Sequence, residues 1–241
     1  MLNRSSLRPS LALAVGALLL PHCAAAQTLE IAPVTIDLPA GRETSIIRVT
    51  NRGDQSTTIQ MRPFSWSQQN SEDTLLPTTD LVLSPPFSTL GPGDTQTVRI
   101  VLRKSPVLRE SAYRLLIDQL PAAANPGTVR VTLRISLPVF AAAAGLAHAT
   151  LTWKIVGDDP VKRSLVVRNE GSRRVKISEL KISGTATSPG YTFRYVLAGS
   201  EISIPVDAGS LGWAALKGRA HISGSTDQGR FEADAPIMPA P

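Results

Sequence analysis

The sequence predicts an all-β chain built as two β-sandwich domains. Three observations carry this. Helical periodicity is nearly absent over 241 residues, while 19 prolines and 17 glycines punctuate short apolar runs. Val129, Val131, Leu133, Ile135, Leu137 and Val139 alternate with Arg130, Thr132, Arg134 and Ser136, the period-two pattern of a strand whose side chains point to opposite faces in turn. The composition breaks once, at Ala141–Ala149, where alanines and Gly145 separate two strand-rich halves. The length suits two domains of ordinary size.

The first 26 residues stand outside both domains. Met1–Ser10 carries Arg4 and Arg8 and no acid, Leu11–Leu20 is apolar, and Ala24-Ala25-Ala26 offers a small-residue cleavage site. That is the plan of a secretory signal peptide, too short to anchor in a bilayer. A lipid-modified Cys23 is the competing reading, disfavoured by Pro21-His22 ahead of it. Without the leader the net charge falls from +6 to about +4, and Cys23, the single cysteine, is lost with it. The exported chain can then depend on no disulfide and use no thiolate.

Within the first domain, expected over 27–142, Leu29–Leu38 is a strand interrupted at Pro33, a residue suited to an edge or a bend. Ser45–Asn51 alternates and closes on a turn at Arg52-Gly53-Asp54. Thr57–Trp66 follows, with Ile59, Met61 and Phe64 as the inward candidates, then Gln68–Thr74 as a polar loop. Leu81–Leu83 leads to an extended corner at Ser84-Pro85-Pro86-Phe87, and Leu90-Gly-Pro-Gly-Asp94 is a turn by composition. Thr95–Leu102 precedes the longest unit, a hairpin from Ser111 to Phe140 whose turn is Ala122–Gly127.

A linker over 143–149 opens a smaller sandwich over 150–241. Its expected strands are Leu151–Val156, Ser164–Asn169, Val175–Ile182, Tyr191–Leu197, Glu201–Val206, Leu211–Leu216, Ala220–Ser223 and Phe231–Ala235. One internal echo links the halves: Arg48-Val-Thr-Asn51-Arg-Gly53 recurs as Val167-Arg-Asn169-Glu-Gly171. Each closes a strand with a locally capping Asn and a turn Gly. Ordinary hairpin chemistry used twice accounts for it equally well.

Signals for catalysis are poor. His148 falls in the linker and His221 in an expected strand, neither with a carboxylate at relay spacing. No H-x-x-x-H, C-x-x-C or G-x-S-x-G occurs, Asp158-Asp159 runs into Pro160 as a turn does, and Gly91-Pro92-Gly93 lacks the Lys and helix of a phosphate loop. No metal or other cofactor is expected. Aromatics are 5% of the chain and the basic residues are scattered, so no nucleic-acid partner is expected, nor stable membrane insertion. The hairpin remains. Its second arm either turns Val129–Ile135 into its own core or is an edge strand. An unpaired edge is a liability unless a partner's sheet takes it up.

Trp66, Ser84-Pro-Pro-Phe87, Leu90-Gly-Pro-Gly-Asp94, Thr97-Val-Arg-Ile100, Ser111-Ala-Tyr-Arg-Leu-Leu-Ile-Asp-Gln-Leu-Pro121 and Leu133-Arg-Ile-Ser-Leu-Pro-Val-Phe140 occur in one order. Together they resemble the periplasmic pilus-assembly chaperones of the chaperone–usher pathway. The Tyr-Arg-Leu-Leu and Ser-Leu-Pro-Val-Phe forms are similar to the archaic branch that serves spore-coat-like and Csu-type pili. The resemblance covers nearly all of Leu29–Phe140; the second domain matches only in size and strand pattern.

The resemblance implies two immunoglobulin-like sandwiches joined at an angle, in a non-enzymatic periplasmic protein. It implies pilus subunits (pilins) lacking a strand as partners, complemented by a donor strand through Val129, Val131, Leu133 and Ile135, and an outer-membrane usher as the recipient. The family also grips the subunit's C-terminal carboxylate with cations. In the best-studied branch these are an Arg and a Lys whose counterparts fall near Thr35 and Ser136, neither of them basic. The archaic pattern implies Arg114 first, and Arg134, close to the position of the lost Lys, comes second, guanidinium groups being suited to bidentate carboxylate binding. The competing role for Arg114 is a structural ion pair with Asp118 or Glu110. A second expectation for the whole chain is a secreted two-domain binding module or pilus component, its footholds the exposed aromatics Trp66, Trp153 or Trp213.

Overall fold

The computed structural model describes residues 29–69, 71–121, 131–145, 147–159, 162–182, 190–207 and 218–239, which hold seventeen strands and no helix. The first domain is two sheets face to face. One runs β1 (Leu29–Ala32), β3 (Thr44–Asn51), β8 (Thr95–Leu102), β6 (Leu81–Ser84). The other runs β2 (Ile36–Leu38), β10 (Arg134–Ala141), β9 (Ser111–Leu120), β4 (Thr57–Gln69), β5 (Glu72–Pro77), with β7 (Phe87–Leu90) also paired to β4. Ile47, Val49, Val98 and Ile100 from the first sheet meet Ile59, Met61, Leu115, Ile117 and Val139 from the second in one dry core.

Pro33 does what its position suggests. Having no N–H to give a ladder, it follows the last residue of β1, and the chain crosses from one sheet to the other before β2. Its peptide bond, like that before Pro85, is cis.

Three expectations are corrected. Phe64 faces away from the core, because Ile59 and Met61 set the inward parity and Phe64 has the other; it pairs across the ladder with Arg114. Gln68–Thr74 is no loop but part of a β4–β5 hairpin, Gln69 lying opposite Glu72 and Ser71 taking φ 67 at the turn. The hairpin's second arm enters the ladder only at Arg134, opposite Asp118. Its partner β9 stops at Leu120 before Pro121, so Val131 and Leu133 precede the strand and Val129 lies outside the described residues, as does the turn at Ala122–Gly127.

The second domain follows β14 (Gly190–Val196), β13 (Val175–Ile182), β16 (Arg219–Thr226), β17 (Gly229–Met238), β11 (Leu151–Val156), β12 (Lys162–Asn169), β15 (Glu201–Asp207). The two halves join through a short parallel pairing of β17 with β11 and share one core, Ile155, Leu165 and Val167 packing with Ile177, Leu180 and Ile222. The strand expected at Leu211–Leu216 lies outside the described residues.

The Asn–Gly echo is one device built twice. The Asn51 amide donates to the carbonyls of Gln55, Leu90 and Gly91, and its oxygen accepts from Gly53 N–H. The Asn169 amide donates to Arg173 and Val196, and its oxygen accepts from Thr150 and Gly171. Each buried amide satisfies backbone groups that a turn would otherwise leave unpaired.

The domains touch through a small, specific seam. Gln68 donates to the Tyr195 carbonyl at 2.9 Å and accepts from Leu197 N–H at 2.9 Å, so its amide stands in for a backbone unit. Trp66 and Phe140 pack on Leu197 and Tyr195. Arg174 reaches across to Glu110 and Asp37. Trp66 is therefore buried rather than exposed, and Trp153 is buried against Phe231, its ring stacked at 5.0 Å. Two of the three aromatic footholds for a ligand-gripping module are thus packing residues, and Trp213 lies outside the described residues.

Candidate binding edge and interdomain cleft

The strand β10 is central at one end and an edge at the other. β2 covers it only from Val139 to Ala141, whereas Arg134–Pro138 pair with β9 alone among the described residues. The outer backbone groups of that segment face no strand among the described residues. Its inward parity, set by Leu137 and Val139, continues through Ile135, half-buried against the core, to Leu133 and Val131, which are 37% and 81% exposed. A row of apolar side chains thus runs out of the core past the rim of the sandwich. Leu133 is held by two bonds to Gln119, one backbone to backbone and one to its side chain.

The opposite parity builds the sheet's outer face. Arg114 and Asp118 on β9 lie there, with Arg134 and Pro138 opposite Asp118 and Arg114 respectively. Arg114 and Arg134 are therefore not brought together: four residues of strand, about 13 Å, separate them. Asp118 takes both Arg134 and Arg62. Burial alone would raise its carboxyl, but the hydrogen bonds and charges of Arg134 and Arg62 outweigh burial and hold it below its ordinary value.

Arg114 sits in a different setting. Its guanidinium lies 3.7 Å from the Trp66 ring centroid, its side chain largely buried, with Asp73 at 3.9 Å. Neither competing partner engages it, since Asp118 is occupied as above and Glu110 holds Arg174. Burial pushes its pKa below the ordinary arginine value, against the attraction of Asp73 and then Tyr195. It lines a cleft of about 470 Å³ between the domains, with Trp66, Gln68 and Asp73 on one side and Arg194 and Tyr195 on the other. Tyr195 and Arg194 gave no local signal, being ordinary strand residues that only the docking of two domains brings to Arg114. Among the described residues no group of three or more His, Cys, Asp or Glu is placed to hold a metal ion.

Comparison with known proteins bears on this geometry. The chain is 31% identical over 128 residues to the uncharacterized fimbrial chaperone YcbF of Escherichia coli (strain K12), covering 48% of this chain and 53% of that protein. It thus spans about half the length of the curated relative it matches. Among solved structures it resembles a chain of the CsuC–CsuE chaperone–tip adhesion subunit pre-assembly complex from archaic chaperone-usher Csu pili of Acinetobacter baumannii, with TM-score 0.68, 22% identity, and coverage of 89% of this chain and 100% of that one. It also resembles the complex of SafA pilin with the SafB chaperone of Salmonella enterica, with TM-score 0.60, 16% identity, and coverage of 86% and 96%. At these identities the likeness is one of fold, and it gives the chain the two-domain immunoglobulin-like architecture. Residues 28–147 match the pili and flagellar-assembly chaperone, PapD N-terminal domain, and by that domain the chain belongs to the pilus-assembly chaperones, a family of chaperones and not of enzymes.

Proposed function

We propose that this protein is a periplasmic chaperone that holds pilus subunits lacking a strand and passes them to an outer-membrane usher. The observation that carries the reading is the free edge at Arg134–Pro138, preceded by the exposed Val131 and Leu133. A subunit strand laid there would take its main-chain bonds from β10, while Val129, Val131, Leu133 and Ile135 offer alternate side chains to the subunit's open groove. Burying Val131, 81% exposed, supplies roughly 1–2 kcal/mol and the exposed third of Leu133 roughly 1 kcal/mol or less, with no need for a nucleotide. Pro138 lies opposite Arg114, so the free edge ends beside the cleft. Because β10 runs toward that end, a subunit whose terminal carboxylate reaches Arg114 would run parallel to β10. Arg134, engaged by Asp118, is the weaker anchor of the two.

The test is co-purification from the periplasm with a strand-deficient pilin. Leu133→Asp should abolish capture while leaving the unfolding transition unchanged, since Leu133 precedes the strand and contributes little core. Arg114→Ala should weaken capture of subunits with a free C-terminus. Capture by both variants at the wild-type level would dismiss the donor edge. Fractionation that finds the protein outside the periplasm would dismiss the compartment, which rests on the leader at Met1–Ala26.

A further inference from the structure

The cleft holds a second cation, contributed by the second domain. Arg194 lines the same 470 Å³ space as Arg114 and has no ion pair among the described residues. Little in the first domain neutralises Arg114. Among the described residues Arg114 has for counter-charge only Asp73, at 3.9 Å, beyond hydrogen-bond reach, and that carboxylate also accepts from Gln68 at 3.1 Å. A buried guanidinium so poorly paired is costly, and a cleft so lined favours an anion that brings two oxygens.

From this geometry we infer that the subunit's terminal carboxylate is gripped from both domains, by Arg114 of the first and Arg194 of the second, with Asp73 the counter-ion it displaces. The inference rests on the chaperone reading above and replaces Arg134 by Arg194 as the second anchor. The carboxylate then bridges the seam, so that binding and the relative placement of the domains are coupled. A chain extended past its native C-terminus would present no charge at this depth, which makes the cleft a ruler for where a subunit ends.

The experiment measures retention of a strand-deficient pilin by the whole protein, using the pilin with its free C-terminus and the same pilin amidated there. Arg194 is exposed, so its replacement leaves folding intact, and Arg194→Lys is a charge-preserving control. Arg194→Ala should weaken binding of the free-carboxylate pilin about tenfold, the usual scale for a hydrogen bond to a charged group. The amidated pilin should bind the Ala variant and the wild type alike, and Arg194→Lys should recover part of the loss. Equal loss for both pilins, or no loss for either, overturns the two-domain grip while leaving the donor edge standing. Failure of the wild type to retain either pilin, or retention undiminished in Leu133→Asp, overturns the chaperone reading and the inference with it.

Discussion

Replacing Arg174 by Met removes a buried charged group that ties the domains together. Its side chain is 6% exposed and donates from Nη1 to Glu110 at 2.6 Å and from Nη2 to Asp37 at 2.5 Å, over the face of Phe140 at 3.6 Å. Glu110 is 3% exposed, so the variant leaves a buried carboxylate whose remaining partner here is the backbone N–H of residue 174. Breaking such a pair from one side costs about 3–5 kcal/mol. Asp37, 57% exposed, adds under about 1 kcal/mol, and the ring contact about 1–2 kcal/mol. All three share one guanidinium and do not add, so the expected loss is about 4 kcal/mol.

The pH dependence has a definite sign. Burial already raises the Glu110 carboxyl above its ordinary 4.5, against the attraction of Arg174 and Arg173. Without Arg174 it rises further. A carboxyl that binds protons more tightly when folded gains stability as pH falls through its raised value toward its ordinary one. The deficit of Arg174→Met should therefore shrink on acidification from neutral pH to about pH 5. Denaturant unfolding followed by tryptophan fluorescence reports both domains, through Trp66 and Trp153, and a split of one transition into two would show their uncoupling. Arg174→Met/Glu110→Gln should recover most of the loss, because the guanidinium leaves its own Nε unbonded and a buried pair adds little net stability. A loss below about 1 kcal/mol, or one that does not change with pH, would refute this account.

Asp118→Asn should cost about 1 kcal/mol at neutral pH, the scale of a partly exposed ion pair, since Arg62 and Arg134 are 40% and 64% exposed. Because the wild-type carboxyl is held below its ordinary 3.8, its contribution is present above that value and is lost as pH falls through the lowered one. The two unfolding curves should converge below about pH 3; a gap constant from pH 7 to pH 2 would count against the pair. Asn51→Ala and Asn169→Ala each strand several backbone groups, and each should destabilise its own domain by about 2–3 kcal/mol, measured as separate shifts in unfolding. Loss from both domains in either variant would mean that the two caps are not independent.

The strands were legible because alternation and turn chemistry are local. The period-two runs, the bend at Pro33 and the paired Asn–Gly turns each specify backbone direction within a few residues, and the structure keeps the bend, both turns and, in the hairpin's second arm, the strand from Arg134 on. Phe64 and Gln68–Thr74 differ from expectation where local pattern is degenerate. A half-buried aromatic fits either face of a strand, and a polar run fits a loop or an exposed hairpin equally.

What the sequence by itself determined is the β architecture, its division into two units, and the apolar row from Val131 to Val139, all of which depend on neighbours in the chain. Only the tertiary structure decided that the row leaves the core at Leu133, that Arg134–Pro138 lack an outer strand among the described residues, and that Arg114 shares its cleft with Arg194 and lies four residues of strand from Arg134. An edge is defined by the strand that is missing beside it, and a cleft by residues that meet only when two domains dock. Neither leaves a periodic trace in the chain, because both are set by contacts between residues dozens of positions apart.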